Sequence, residues 1–210
     1  MAKLIAISGT HGCGKTTLLN EIKNQHYPYS VSVDDFKASR TIQAQLGTDL
    51  SQITDLPTLL NFQTLVLEAK AKNDLELLRH PADVVIVERS MLDLIAYTQL
   101  WLYELDPCQT AVDWFNQYTH RALAYHRLYA ATILISSTHE IPFVADPNRG
   151  KEDTRLRFEF LLRLQLHLFE TLSQRPGYHI NSECVTIPDR LAKVAEIFPE
   201  ILKLHYYDRK

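Results

Sequence analysis

The sequence predicts an α/β fold: a three-layer sandwich in which a five-stranded parallel sheet is covered by helices on both faces. Three observations carry this. Short apolar runs recur along the 210 residues, as fully buried parallel strands require. Longer stretches with apolar residues at three- and four-residue spacing lie between them, so strand and helix alternate. The first apolar run leads directly into GTHGCGKTT, residues 9–17, which fits a turn between strand and helix.

Taken in order, the buried runs Leu4 to Ile7, Val31 to Val33, Val84 to Val87 and Ile133 to Ile135 are the first four strands, and a fifth is placed near Cys184 to Ile187. Helical spacing marks Lys15 to Gln25, Leu56 to Arg79, Met91 to Tyr103, Val112 to Tyr129 and Leu156 to Leu172. A last helix, Asp189 to Leu204, follows Pro188. With 46% hydrophobic residues and no repeat, linker or low-complexity tract, residues 1–210 are expected to form a single domain. In such sheets ligands bind beyond the carboxyl ends of the strands, so motifs there take priority.

Composition narrows the partners. A formal net charge of -3 gives no basic field to draw the protein to nucleic acid or to a membrane, so an anionic ligand must be held by local groups. Cys13, Cys108 and Cys184 are far apart and lack C-x-x-C spacing, which argues against a disulfide framework or a zinc site and fits a reducing, cytoplasmic compartment. The chain enters its first strand without a basic leader, and no apolar stretch approaches the roughly 18 residues of a membrane span.

Three of the six glycines fall in the opening turn. Gly9-Thr10-His11-Gly12-Cys13-Gly14-Lys15-Thr16 fits G-x-x-x-x-G-K-[ST] between a strand and a helix, the context that makes this pattern a phosphate loop. Its glycines let successive N–H groups turn inward around phosphate oxygens, and the following helix points its positive end at the same place. Residues 9–17, Thr17 included, are therefore assigned to ATP binding. Lys15 would neutralise the β- and γ-phosphates, and the Thr16 hydroxyl would complete the shell of a Mg²⁺ ion. His11 and Cys13 sit at variable positions and are read as space filling.

Val84 to Val87 is followed by Glu88-Arg89-Ser90, a carboxylate and a guanidinium at a strand end. Glu88 could hold a magnesium-bound water, and Arg89 could pin a phosphate or sugar group. A helix start with Ser90 as its cap explains the same residues and is compatible with that role. Asp93, one turn on, would face Arg89 and orient it. The second strand ends in Asp34-Asp35, where a general base for a substrate hydroxyl is expected, unless one of the two caps the next helix. Phe36, Phe62, Gln63 and Tyr97 are pocket lining or core. After the fourth strand a polar segment, with a lid at roughly residues 139–155, carries Arg149 and Arg155, candidates to stabilise the transferring group. A solvated charged helix start is the other reading of these arginines.

Together these residues resemble the P-loop kinases of nucleosides and nucleotides, in particular the group related to the nicotinamide riboside kinase domain. The pattern (D/E)-R followed by D-x-x-A-Y stands here as Glu88-Arg89 and Asp93-Leu94-Ile95-Ala96-Tyr97. It is also similar to thymidylate kinases, and Glu88-Arg89-Ser90 looks like the triplet of deoxynucleoside kinases. Asp34-Asp35-Phe36 looks like the acid-acid-aromatic turn of uridine and riboside kinases, and Asp146-Pro147-Asn148-Arg149 like the family lid. The resemblance implies a P-loop kinase fold, ATP with Mg²⁺, and a small nucleoside or nucleotide acceptor. In this chain the acids precede Arg40 by five or six residues rather than three, and the lid lacks the family's Trp-containing stretch, so nicotinamide riboside is not carried over as substrate. A homodimer stays open. The competing class is a regulatory ATPase without a small acceptor; against it stand the lack of an N-K-x-D motif and the arginine, rather than a second acid, after Glu88. A nucleic-acid end kinase would want a basic channel, which the net charge does not favour.

Overall fold

The computed structural model describes residues 1–47, 53–105, 108–136, 155–173, 175–181 and 183–204. Strands β1 (Lys3–Ser8), β2 (Val31–Asp34), β3 (Val84–Glu88), β4 (Tyr129–Ile135) and β5 (Gly177–Ile180) form one sheet in the order β2-β3-β1-β4-β5, and every pairing is parallel. Successive side chains of a strand face opposite ways. Leu4 and Ala6 of β1 therefore enter one core and Ile5 and Ile7 the other.

The second of these cores is covered by α1 (Lys15–Lys23) and α7 (Ile187–Leu204), through Leu18, Ile22, Val194 and Phe198. The first is covered by α3 (Leu56–Leu77), α4 (Met91–Glu104), α5 (Gln109–His126) and α6 (Arg155–Leu172), with Leu67, Ala96, Ala122 and Leu161 inside. This is the three-layer arrangement that the alternating pattern predicts. Among the described residues no helix is long and apolar enough to cross a membrane.

Three elements depart from the sequence reading. Helix α2 (Ala38–Leu46) has no counterpart in the sequence reading although its apolar residues recur at four-residue spacing; it is only nine residues long and closes at Gly47, whose φ of 63° is left-handed. Strand β4 begins at Tyr129 and α5 ends at His126, so the helix expected to reach Tyr129 stops three residues earlier. Ala130 and Ala131, both good helix formers, hide a strand whose seven residues are all buried. Strand β5 lies at Gly177–Ile180 rather than near Cys184 to Ile187, and only Ile180 is buried in it, so no apolar run announces this edge strand. A Cβ at Gly177 would stand 2.5 Å from the Phe169 ring, so glycine is what lets β5 pack against α6. Cys184 to Thr186 are instead the turn into α7, and Ile187 is the first residue of that helix.

His126, at the C-terminal end of α5, is 1% exposed and packs edge-on to Tyr129 with ring centroids 5.3 Å apart. Burial holds its pKa down to about 4; Asp93 works against this and Arg175 with it. The folded protein thus keeps the imidazole neutral where the unfolded chain, near 6.5, already binds a proton. Stability from this group is complete above pH 6.5 and is lost as pH falls towards 4, a loss of about 3 kcal/mol. Urea unfolding at pH 7.5 and 4.5 is expected to show that loss in the wild type and a smaller one in His126→Gln. An equal pH dependence in both would contradict it.

Candidate functional site

The turn after β1 is built on left-handed glycines: Gly12 has φ 75° and Gly14 φ 87°. Gly14 is the N-cap of α1 and offers no side chain to the first-turn N–H groups, the groups that bind anions at a helix start. Lys15 is only 4% exposed, and its ammonium donates to the Gly9 carbonyl at 2.9 Å and the Thr10 carbonyl at 2.7 Å, so it spans the turn. Cys13 is fully buried in the α1 and α7 core, in keeping with space filling. His11 does more than fill space. Its N–H donates to the Tyr97 hydroxyl at 3.0 Å, and its ring meets Phe158 edge-on at 5.9 Å, joining the turn to α4 and α6. Thr16 and Thr17 are exposed.

Glu88 is level with Ile7 of β1 in the sheet, and the Arg89 N–H continues the pairing by donating to the Ile7 carbonyl at 2.9 Å. Arg89 then turns with φ 68°, the one left-handed non-glycine residue among those described. Such a conformation costs about 1–3 kcal/mol and persists where the surroundings enforce it, often at functional sites. The Thr16 hydroxyl lies 3.4 Å from both Glu88 oxygens. The Arg89 guanidinium sits 4.8 Å over the Tyr97 ring. Burial works against the arginine's charge, but the Tyr97 oxygen, Asp93 and Glu88 outweigh it and hold the group firmly cationic.

Ser90 caps α4, and the cap coexists with the placement of Glu88 and Arg89. Its hydroxyl accepts from the Leu92 N–H at 3.2 Å, while its own N–H donates to Asp93 at 2.6 Å. This reciprocal cap turns Asp93 back towards the helix start. The other Asp93 oxygen accepts from the Gly9 N–H at 3.1 Å and the Gln165 amide at 2.7 Å. Asp93 therefore ties the turn, α4 and α6 together, and it acts on Arg89 through its field.

Beside β3, Asp34 ends β2 level with Val87 and accepts from the Asn73 amide of α3 at 2.9 Å. Asp35 is 44% exposed and pairs with Lys37 at 2.7 Å, which holds its carboxyl below the usual range. Neither caps α2, whose N-cap is Lys37 without a side-chain bond. Phe36 lies 4.9 Å over the Lys70 ammonium, which pairs at 2.8 Å with Asp74; the Tyr129 hydroxyl donates to the same carboxylate at 2.6 Å. Phe62 and Gln63 are core residues, the latter accepting from Thr98, whereas Tyr97 faces the turn.

Arg149 and the rest of the expected lid, residues 139–154, lie outside the described residues. Arg155 opens α6, is 66% exposed and pairs at 2.9 Å with Glu159 on its own helix, the arrangement of a solvated helix start. Among the described residues no cluster of three or more His, Cys, Asp or Glu side chains could hold a metal alone. Sequence reasoning missed Asn73, Gln165, the Lys70–Asp74 pair and Arg190. The last had a signal: an arginine in the first turn of a helix opposes the helix dipole and so needs another reason to be there.

A model of the AAA domain matches residues 4–173. No curated protein matches the sequence. Among solved structures, the NadR protein in complex with NR aligns with a TM-score of 0.68 at 15% identity, over 94% of this chain and 51% of that one. Thymidylate kinase from Candida albicans aligns with a TM-score of 0.61 at 14% identity, over 95% and 92%. At these identities the likeness is one of fold, and the chain spans about half the length of the NadR chain.

Proposed function

The chain belongs to the AAA domain family, and from that premise we propose that it is an ATP-dependent kinase transferring the γ-phosphoryl group to a nucleoside monophosphate or nucleoside. The observation that carries this is the convergence of three adjacent strand ends: the Lys15 turn after β1, Glu88 beside Thr16 after β3, and Asp34 held by Asn73 after β2. A device that only hydrolyses ATP needs the first two and has no use for a carboxylate fixed on the third. The two solved folds, one bound to NR and one a thymidylate kinase, support an acceptor of that class.

In this reading the turn's N–H groups and Lys15 hold the donor phosphates. Thr16 and Glu88 form an all-oxygen set suited to Mg²⁺, which takes one or two protein oxygens and fills its shell with phosphate and water. Bound there, such an ion would supply neutralisation of the charge on the phosphates. Arg89, fixed as a cation at the same strand end, grips an acceptor phosphate, and Arg149 is assigned to stabilising charge on the transferring group. Asp34 is chosen over Asp35 as the acceptor-binding carboxylate, because Asn73 engages one of its oxygens and orients the other, whereas Asp35 is engaged at the surface by Lys37. For a monophosphate acceptor no base is required, since its oxygens are already anionic.

The test is a substrate panel: ATP with each nucleoside and each monophosphate, against ATP alone and ATP with a DNA end, reading ADP release. On a nucleoside acceptor, Asp34→Asn is expected to lower kcat/KM by about 10²-fold, within the range of general-base contributions, with little change for Asp35→Asn. On a monophosphate, Arg89→Ala is expected to be the more damaging change. The AAA domain match itself favours a second reading, an ATPase that drives a partner. ADP release that ignores every small acceptor would establish that reading in place of the kinase.

A further inference from the structure

Helix α7 starts with a reciprocal cap: the Thr186 hydroxyl donates to Asp189 at 2.6 Å, and the Asp189 N–H donates back to that hydroxyl at 3.3 Å. Asp189 suits the positive end of a helix, but Arg190 beside it does not. Arg190 is nevertheless 4% exposed, and burying a cation is costly unless its donors are used. Side chains of a helix lean towards its N-terminus, and this one reaches back beneath the phosphate turn. Its Nη1 donates to the Cys13 carbonyl at 2.7 Å and its Nε to the Cys184 carbonyl at 3.1 Å. A Cβ on Gly14 would stand 2.8 Å from Nη1, so the guanidinium is pressed against the turn itself.

We infer that Arg190 is a positioning residue of the phosphate turn, one that sets the Cys13–Gly14 peptide and lends its positive charge to the bound phosphates. This rests on the nucleotide-site reading above. The peptide unit is planar and trans, so its carbonyl and N–H point opposite ways. Holding the Cys13 carbonyl towards α7 sends the Gly14 N–H away from α7, to the side that the turn encloses, where such loops present their donors to phosphate. Among the described residues, the hydrogen bonds of Arg190 go to main-chain carbonyls and none to a carboxylate. Its charge therefore stands uncancelled beside Gly14, at the start of α1.

The experiment uses the full chain as wild type, Arg190→Gln and Arg190→Lys, titrated calorimetrically with Mg-ATP and with inorganic tripolyphosphate, and melted without ligand. Arg190→Gln is expected to weaken both ligands by a common factor of about 10, the scale of a lost charged hydrogen bond. Arg190→Lys, which keeps the charge but not the fork that spans two carbonyls, is expected to weaken both by about 3-fold. If the glutamine variant does not fold, the lysine variant carries the test. Weakened ATP with unchanged tripolyphosphate would move Arg190 to the base of the nucleotide and overturn the proposal. A lower Tm with unchanged affinities, or a lysine variant equal to wild type, would overturn it as well. A wild type that binds neither ligand refutes the nucleotide-site reading beneath it.

Discussion

Replacing Lys15 with methionine is expected to lower phosphoryl transfer by about 10³-fold, measured as ADP formation at saturating acceptor. Removing one preorganised charge-stabilising group from a water-poor site costs about 10²–10³ in kcat, and Lys15 has two tasks. Its ammonium binds the Gly9 and Thr10 carbonyls, which keeps the turn curved, and it places a cation within the turn itself. Methionine matches its length and apolar stem, so a fall in turnover with a near-native Tm separates lost charge from lost packing. Arginine should not rescue: the side chain is 4% exposed, and a planar fork does not fit a space shaped for a compact ammonium. Ordinary turnover in the methionine variant would remove Lys15 from the site.

The second large effect is on stability, and it is asymmetric. Lys70 and Asp74 are both fully buried, and breaking such a pair from one side costs about 3–5 kcal/mol, because a charge is left without its partner. Asp74→Asn leaves the buried ammonium at best a neutral amide oxygen, with no counter-charge beside the rings of Phe36 at 4.9 Å and Tyr129 at 5.9 Å. Lys70→Met leaves a carboxyl whose pKa burial already raises against the pull of Lys70 and the Tyr129 hydroxyl, so it can take up a proton and keep that hydroxyl bond. Chemical denaturation should therefore rank Asp74→Asn well below Lys70→Met in stability. Equal losses would mean that the two charges, rather than their separate surroundings, set the cost.

What could be read in the sequence was what lies close together along it. The phosphate turn, the Glu88-Arg89-Ser90 step and the α4 start are each formed by neighbouring residues, and their patterns survive intact in the fold. The supports of the site were hidden because they join distant parts of the chain. Asn73 reaches Asp34 across 39 residues, Gln165 reaches Asp93 across 72, and Arg190 reaches Cys13 across 177. No periodicity encodes such pairs, since each partner obeys only its own helix or strand. Strand β5 was misplaced for a related reason. At the sheet edge, half covered, it needs neither a buried run nor strict alternation. Asp34 and Asp35 are equivalent in the sequence, and only the fold distinguishes them, since α3 engages the first and Lys37 the second.

The pairing of α7 with α1 also bears on the order in which the protein is made. On a ribosome the phosphate turn emerges well before α7, so its face of the sheet gains Val194, Ile197 and Phe198 only when that last helix follows. Until then Ile5, Ile7 and Leu18 have a single helix for cover, and Arg190 is absent from beneath Cys13. A chain arrested after α6 would carry an intact glycine signature on an uncovered apolar surface, the kind of intermediate that chaperones hold. If Arg190 positions the phosphate turn as proposed, full nucleotide affinity is expected only once α7 docks.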